Sequence, residues 1–259
     1  MSKQPIGIFD SGVGGTTVWK EIHKLLPYED TIYLADSINA PYGDKRKAQI
    51  IELSKKNTEL LLKRDCKLIV VACNTATTNA IKTLRETYNL PFIGIEPAIK
   101  PAALQSKHKA IGVLATKGTL TSKLFSQTSS TYTHDQQVIE QVGEGLVKLI
   151  EEGKIESEEI KALLKEYLQP MIKANIDHLV LGCTHYPYLM PMLLDILPKH
   201  VKIIDSGEAV ARQTKAVLEK HKLLNNEKSN SKNEFFTNGN QEIMASLLNE
   251  KQTINYLMF

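Results

Sequence analysis

The sequence predicts an α/β protein with open, mainly parallel sheets, arranged as two similar halves that face one cleft, and three observations carry the prediction. Short β-rich runs that are apolar on both faces alternate with longer amphipathic stretches, as strands buried in a parallel sheet alternate with crossover helices. Pro97 and Pro101 follow the fourth such run and turn the chain out of a first unit before a new strand begins. Two strand-end motifs also recur at long range. GIFDSG at 7–12 resembles GVLATK at 112–117, and VVACNT at 70–75 resembles VLGCTH at 180–185. Ligands in open α/β sheets bind at the carboxyl ends of strands, so these positions belong at a site, with two thiols facing across one cleft. For either pair alone, chance likeness of generic strand–helix turns is the alternative.

In chain order, strands are expected over Pro5–Phe9, Thr31–Leu34, Leu68–Ala72, Phe92–Ile95, Ala110–Ala115, His178–Leu181 and Val201–Ile204. Helices are expected over Arg46–Arg64, Glu158–Ala174 and Gly207–Leu224. In the first of these, Ile50, Leu53, Leu60 and Leu61 recur at roughly helical spacing among Lys and Glu. The polar run NNEKSNSKN at 225–233 is expected to be an exposed loop leading to a short terminal strand–helix unit. The expected division is one domain over residues 1–97 completed by 207–259, and a second over 98–206.

Composition narrows the function classes. The 259 residues are 42% hydrophobic and 24% charged, which supports a full-sized core. Lys plus Arg number 32 against 29 Asp plus Glu, a net charge of +3 that gives no basic footprint for nucleic acid. Three cysteines do not make a disulfide framework and point to a reducing cytosol. The start, MSKQPIGIFDSGVGG, meets polar residues and Gly before a signal-like apolar stretch builds up, and no apolar run approaches the ~20 residues needed to span a bilayer. A soluble cytoplasmic protein is expected.

Cys73 and Cys183 are the first candidates for chemistry. A buried Cys is ordinarily a small hydrophobe. Here each closes an apolar strand, each precedes a helix start whose positive end favours a thiolate, and each is followed by polar groups (Asn74, Thr75, Thr184, His185) that serve no core. A thiol near ~8.5, lowered by a helix terminus, suits a general base. Cys66, in a charged turn before a strand, is incidental. Asp10 and Ser11 precede Gly12-Val-Gly-Gly15, a turn that lets backbone approach a ligand and offers N–H donors. The glycines do not fit the GxGxxG fingerprint, and an Asp cap with a tight turn is the structural alternative. Pro41-Tyr42-Gly43 either presents the Gly43 N–H to a carboxylate or is a plain β-turn. His185, in a polar turn, is read as an acid/base group or a helix cap. No HxxxH pair or zinc-like Cys spacing argues for a metal.

Taken together, the stretches GIFDSGVGG (7–15), PYG (41–43), VACNTA (71–76) and LGCTHYP (181–187) resemble the glutamate racemases of the aspartate/glutamate racemase superfamily, in the family's order and over residues 5 to about 210. The resemblance implies a cofactor-independent, two-base racemase with glutamate as its small-molecule partner, acting as a homodimer and supplying D-glutamate for peptidoglycan in a bacterial cytoplasm. It implies Cys73 as the base for the D-enantiomer and Cys183 for the L-enantiomer, with Asp10 supporting Cys73 and His185 supporting Cys183. Glu151, whose register against Glu152 the sequence leaves open, is the further acidic residue near the second thiol. Substrate anchoring falls to Asp10, Ser11, Tyr42, Gly43, Asn74, Thr75, Thr184 and His185, with Thr116 and Thr119 as weaker carry-overs. One departure stands out: Asp36-Ser-Ile-Asn-Ala40 lies where family members commonly carry an Arg.

Three rival readings remain at this point. A related racemase acting on aspartate or another acidic amino acid would share the scaffold. A cysteine hydrolase would use one Cys with His185 as base but gives no role to the second thiol. An amino-acid sensor would bind without exchanging the α-hydrogen.

Overall fold

The computed structural model describes residues 3–225, 227, 230–248 and 252–259; residues 1 and 2, and 226, 228 and 229 of the expected polar loop, lie outside them. Ten strands are found among the described residues: β1 (Ile6–Asp10), β2 (Thr31–Ala35), β3 (Leu68–Val71), β4 (Phe92–Gly94), β5 (Ala110–Ala115), β6 (Gln137–Val142), β7 (His178–Gly182), β8 (Lys202–Ile204), β9 (Asn233–Thr237) and β10 (Ile254–Tyr256). They form two sheets, one ordered β10-β9-β2-β1-β3-β4 and the other β6-β5-β7-β8. Every strand pair in both is parallel. The fold is thus two parallel-sheet α/β domains.

Side-chain alternation explains how β1 serves two layers. Ile6 and Ile8 pack with Val18, Trp19 and Ile22 of the Thr16–Leu25 helix. Phe9, of opposite parity, packs with Ile50, Leu61 and Ala80 of the Lys47–Leu62 and Asn74–Thr87 helices. With helices on both faces, a period-two strand is buried at every position, as β1, β3, β5 and β7 are. One apolar cluster runs from this face of the first sheet to Leu146, Ile150, Leu164 and Leu179 around the second, so the two sheets share a continuous core.

The strands expected from the sequence are all present within a residue or so of their expected ends. Pro101 lies in the first turn of the Ile99–Gln105 helix, where a missing N–H costs no intrahelical bond. Two strands escaped the sequence reading. No residue of β6 is fully buried, and its Gln137, Glu140 and Gln141 carry no apolar run, as befits a sheet edge. β10 keeps only Ile254 buried, so the expected terminal strand–helix unit is a strand–helix–strand unit that adds β9 and β10 to the first sheet. Among the described residues no helix is long and apolar enough to cross a membrane.

Candidate active site

The carboxyl ends of β3, β5 and β7 and the turn after β1 converge on one cavity. Ser11, Tyr42, Gly43, Cys73, Asn74, Thr75, Thr116, Cys183, Thr184 and His185 line it, together with Pro41, Val147 and Gly182, which the sequence reading had not placed there. Asp10, Glu151 and Thr119 stand behind that lining. The cavity is closed down to about 10 Å3, room for roughly one water. A wider hollow of about 1030 Å3 shares Pro41, Gly43, Thr116 and Val147 with it and leads outward.

Cys73 caps the Asn74–Thr87 helix, its Sγ accepting the Ala76 N–H at 3.4 Å. Its thiol donates to Ser11 Oγ at 3.6 Å. The helix start was expected to lower this thiol, and the closed structure reverses that expectation. Burial, reinforced by Asp10, pushes the Cys73 thiol well up and outweighs the Ala76 and Ser11 hydrogen bonds. In the closed state Cys73 therefore holds its proton. Cys66 is buried against Gly7 and Leu61, and burial raises its thiol to about 12, an inert core group.

Two N–H donors of the Gly12–Gly15 turn are spent on protein carboxylates. Val13 N donates to Glu151 Oε1 at 2.7 Å and Gly15 N to Asp10 Oδ2 at 2.7 Å. A Cβ at Gly12 would collide with the Glu151 carboxylate and one at Gly14 with the His185 ring. The glycines are there to let the second domain's acid and imidazole approach this backbone.

Asp10 is fully buried, and burial raises its carboxyl from 3.8 to about 6 against the opposing pull of His185 and the Gly15 N–H. Raised above its unfolded value, it favours folding fully below pH 3.8 and loses that contribution as pH rises through about 6. At about 1.4 kcal/mol per pH unit, the interval amounts to roughly 3 kcal/mol. Urea unfolding at pH 4 and pH 7 should therefore show Asp10→Asn gaining on the parent protein by up to about 3 kcal/mol across the interval. Parallel pH slopes for the two proteins would refute the assignment.

On the other side, His185 Nδ1 lies 3.8 Å from Cys183 Sγ and Nε2 lies 2.5 Å from Glu151 Oε1. Gly14 N is 3.3 Å from the same Nε2. Burial alone would lower the imidazole; Cys183 and Glu151 overcome it and hold His185 well above its usual range, protonated at neutral pH. Glu151 ends the Leu146–Glu151 helix and meets His185, whereas Glu152 pairs with Lys154 at the surface. Cys183 is followed by a 3-10 turn, Tyr186–Leu189, and not directly by an α-helix, so the expected helix start is weaker here than at Cys73.

The remaining predicted residues divide by what their polar atoms already bind. Tyr42 contributes to the wall, but its hydroxyl is committed, donating to Asp36 Oδ2 at 2.6 Å and accepting from Asn57 at 3.1 Å. Thr75, Thr116 and Thr119 share a hydroxyl cluster with separations of 2.8, 3.1 and 3.3 Å. Thr184 Oγ1 reaches Asp10 Oδ2 at 3.5 Å. Asn74 differs: both its amide Nδ2 and its Oδ1 are buried without a hydrogen-bond partner among the described residues. Leaving such groups unpaired costs about 1–3 kcal/mol each, and a ligand's carboxylate and ammonium would satisfy both. Asn39 and Ala40, in the segment that departs from the family pattern, do not line the cavity. No group of three or more His, Cys, Asp or Glu among the described residues gathers to hold a metal ion.

Sequence reasoning missed the cross-cleft contacts of Ser37, Thr16 and Thr17. Ser37 Oγ donates to Glu151 Oε2 at 2.7 Å. Thr16 Oγ1 meets the Tyr188 hydroxyl at 2.5 Å, and Thr17 Oγ1 donates to Thr184 O at 3.1 Å. The hydroxyl pair directly after Gly15 was a readable signal; Ser37 offered none.

Comparison with known proteins agrees with this geometry. The Asp/Glu/Hydantoin racemase family model matches residues 24–214. A glutamate racemase of Herpetosiphon aurantiacus is 44% identical over 247 residues, 95% of this chain and 97% of that protein. The crystal structure of Escherichia coli glutamate racemase with L-glutamate and the activator UDP-MurNAc-Ala superimposes with a TM-score of 0.87 at 35% identity, covering 98% of each chain. That of the Francisella tularensis glutamate racemase with D-glutamate gives a TM-score of 0.85 at 30% identity, covering 100% of this chain and 98% of that one. By sequence along most of its length and by the architecture of both sheets, the chain belongs to the Asp/Glu/Hydantoin racemase family of enzymes.

Proposed function

We propose that this enzyme interconverts L- and D-glutamate by a two-base proton transfer at the α-carbon. The observation that carries the reading is the pair of buried thiols, Cys73 after β3 and Cys183 after β7, delivered by different sheets to the walls of one cavity. Racemisation must take a proton from one face of the α-carbon and return one to the other. A single base cannot serve both faces of a held substrate, whereas two bases on opposing walls can.

In the L-to-D direction, the Cys183 thiolate takes the α-proton and the electron pair is delocalised into the α-carboxylate. Cys73, which holds its proton in the closed state, delivers it to the opposite face. The reverse direction exchanges the roles. The His185 cation faces the Cys183 sulfur, and Asp10 stands behind Cys73 and Ser11. Asn74, with Thr75, Thr116, Thr184 and the Gly43 backbone, supplies the polar lining for an acidic amino acid. The complexes of relatives with L- and D-glutamate support this substrate. The same lining gives a cysteine hydrolase no use for Cys73.

The domain division of the same reading is residues 1–97 with 207–259, and 98–206. Its support is that β9 and β10 join the sheet of β1–β4, with the Gly207–Lys220 helix packed against the Thr16–Leu25 helix. The family resemblance further supports a homodimer that requires no cofactor and supplies D-glutamate for peptidoglycan in the cytoplasm. The decisive test is α-deuterium wash-in. Incubated in D2O, L- and D-glutamate should each acquire solvent deuterium at the α-carbon, and aspartate far more slowly. Binding of glutamate without wash-in would leave a sensor and sink the racemase reading.

A further inference from the structure

The two thiols are supported in different ways. The hydrogen bonds of Cys73 Sγ come from its own side of the cleft, from Ser11 and the Ala76 N–H. The support of Cys183 crosses it. Cys183 meets His185, and His185 meets Glu151, all on the second sheet's side. Both oxygens of Glu151 are then held from the first: Oε1 by Val13 N at 2.7 Å and Oε2 by Ser37 Oγ at 2.7 Å.

Ser37 is itself rigidly mounted in the 3-10 turn Ser37–Asn39 after β2. Asp36, buried beside it, takes hydrogen bonds from Asn39, Tyr42 and Asn238 at 2.9, 2.6 and 2.7 Å. The Ile38 N–H donates to Asn238 Oδ1 at 3.0 Å, so the end of β9 also clamps this turn. A hydroxyl on so fixed a base donates to one point in space, and the Glu151 carboxylate occupies that point.

We infer that Ser37 is a positioning residue that fixes Glu151, and through it His185, for the Cys183 half of the reaction alone, so that this half is assembled only when the two walls meet. The inference rests on the one-thiol-per-face reading above. Racemisation rates cannot expose the asymmetry. The ratio of kcat/KM for the two enantiomers is set by an equilibrium constant of one, and both directions use both bases.

Elimination separates the halves. With 3-chloroglutamate, one base removes the α-proton, the electron pair forms the Cα–Cβ double bond and chloride leaves; the enamine then hydrolyses to 2-oxoglutarate and ammonia. Ser37→Ala should slow elimination from the L-analogue about tenfold in kcat, the loss expected for one hydrogen bond to a charged carboxylate. Elimination from the D-analogue should stay within about twofold, as should KM for both, because Ser37 touches no substrate. Equal losses on both analogues would show a merely structural role and overturn the inference, as would an unchanged L-rate. The Cys73→Ser and Cys183→Ser proteins, assayed alongside, report on the underlying reading independently. If they show no preference for opposite enantiomers, it is that reading that fails and not the Ser37 assignment by itself.

Discussion

Replacing Cys73 or Cys183 by Ser is expected to cut racemisation by roughly 10²–10⁴-fold, the range a positioned general base contributes. Both side chains are almost fully buried, and Ser is only slightly smaller than Cys, so the fold should survive. Ser Oγ at Cys73 can still cap the Asn74–Thr87 helix and meet Ser11, since both contacts suit a hydroxyl. What is lost is the thiol, a far better proton acceptor and donor in such a step than a Ser hydroxyl without an activating partner. The two variants should then part company on elimination from 3-chloroglutamate, which needs one base only. Cys73→Ser should still process the L-analogue through Cys183, and Cys183→Ser the D-analogue through Cys73. Should either variant keep full racemase activity, or both process the same enantiomer, one thiol per face is the wrong assignment.

What could be read from the sequence, and what could not, follows from how each feature is encoded. Cys73, Asn74, Thr75, Cys183, Thr184 and His185 were legible because each directly follows a buried strand, and the carboxyl end of a parallel strand is where such folds place ligands. The strands themselves were legible because burial on both faces forces continuous apolar runs. β6 and β10 were not, because an edge strand with solvent beside it needs no such run. The link from Ser37 to Glu151 joins residues 114 positions apart, a turn and a helix end, and no local pattern encodes it. The direction in which Cys73 titrates was misjudged for a physical reason. A helix start is visible in sequence, but the depth of burial that outweighs it depends on two domains closing together. The Gly12–Gly15 turn was correctly marked as a place of close approach, yet what approaches is Glu151 and His185 from the far side of the cleft.

That last point yields the other large effect, Gly14→Ala. The φ of Gly14 lies outside the left-handed region, so alanine meets no backbone penalty and any effect is steric. Its Cβ would fall on Nδ1, Cγ and Cε1 of the His185 ring. The ring cannot swing aside cheaply, being 1% exposed and bound to Glu151 at 2.5 Å. Either the imidazole leaves Cys183 or the glycine turn lifts away from Glu151 and the cleft stays ajar. The first route removes the cation facing the Cys183 sulfur and the second releases Glu151 from the Val13 N–H, and racemisation should fall by about 10²-fold or more. Overpacking of this kind should also cost about 1–3 kcal/mol of stability. A double-mutant cycle identifies the cause. In a His185→Ala background the collision is gone, so Gly14→Ala should become nearly neutral for unfolding, a coupling of similar size to the original loss. If the two substitutions instead add, the turn is not packed against the imidazole in solution, and the cross-cleft assembly of the Cys183 half has to be abandoned.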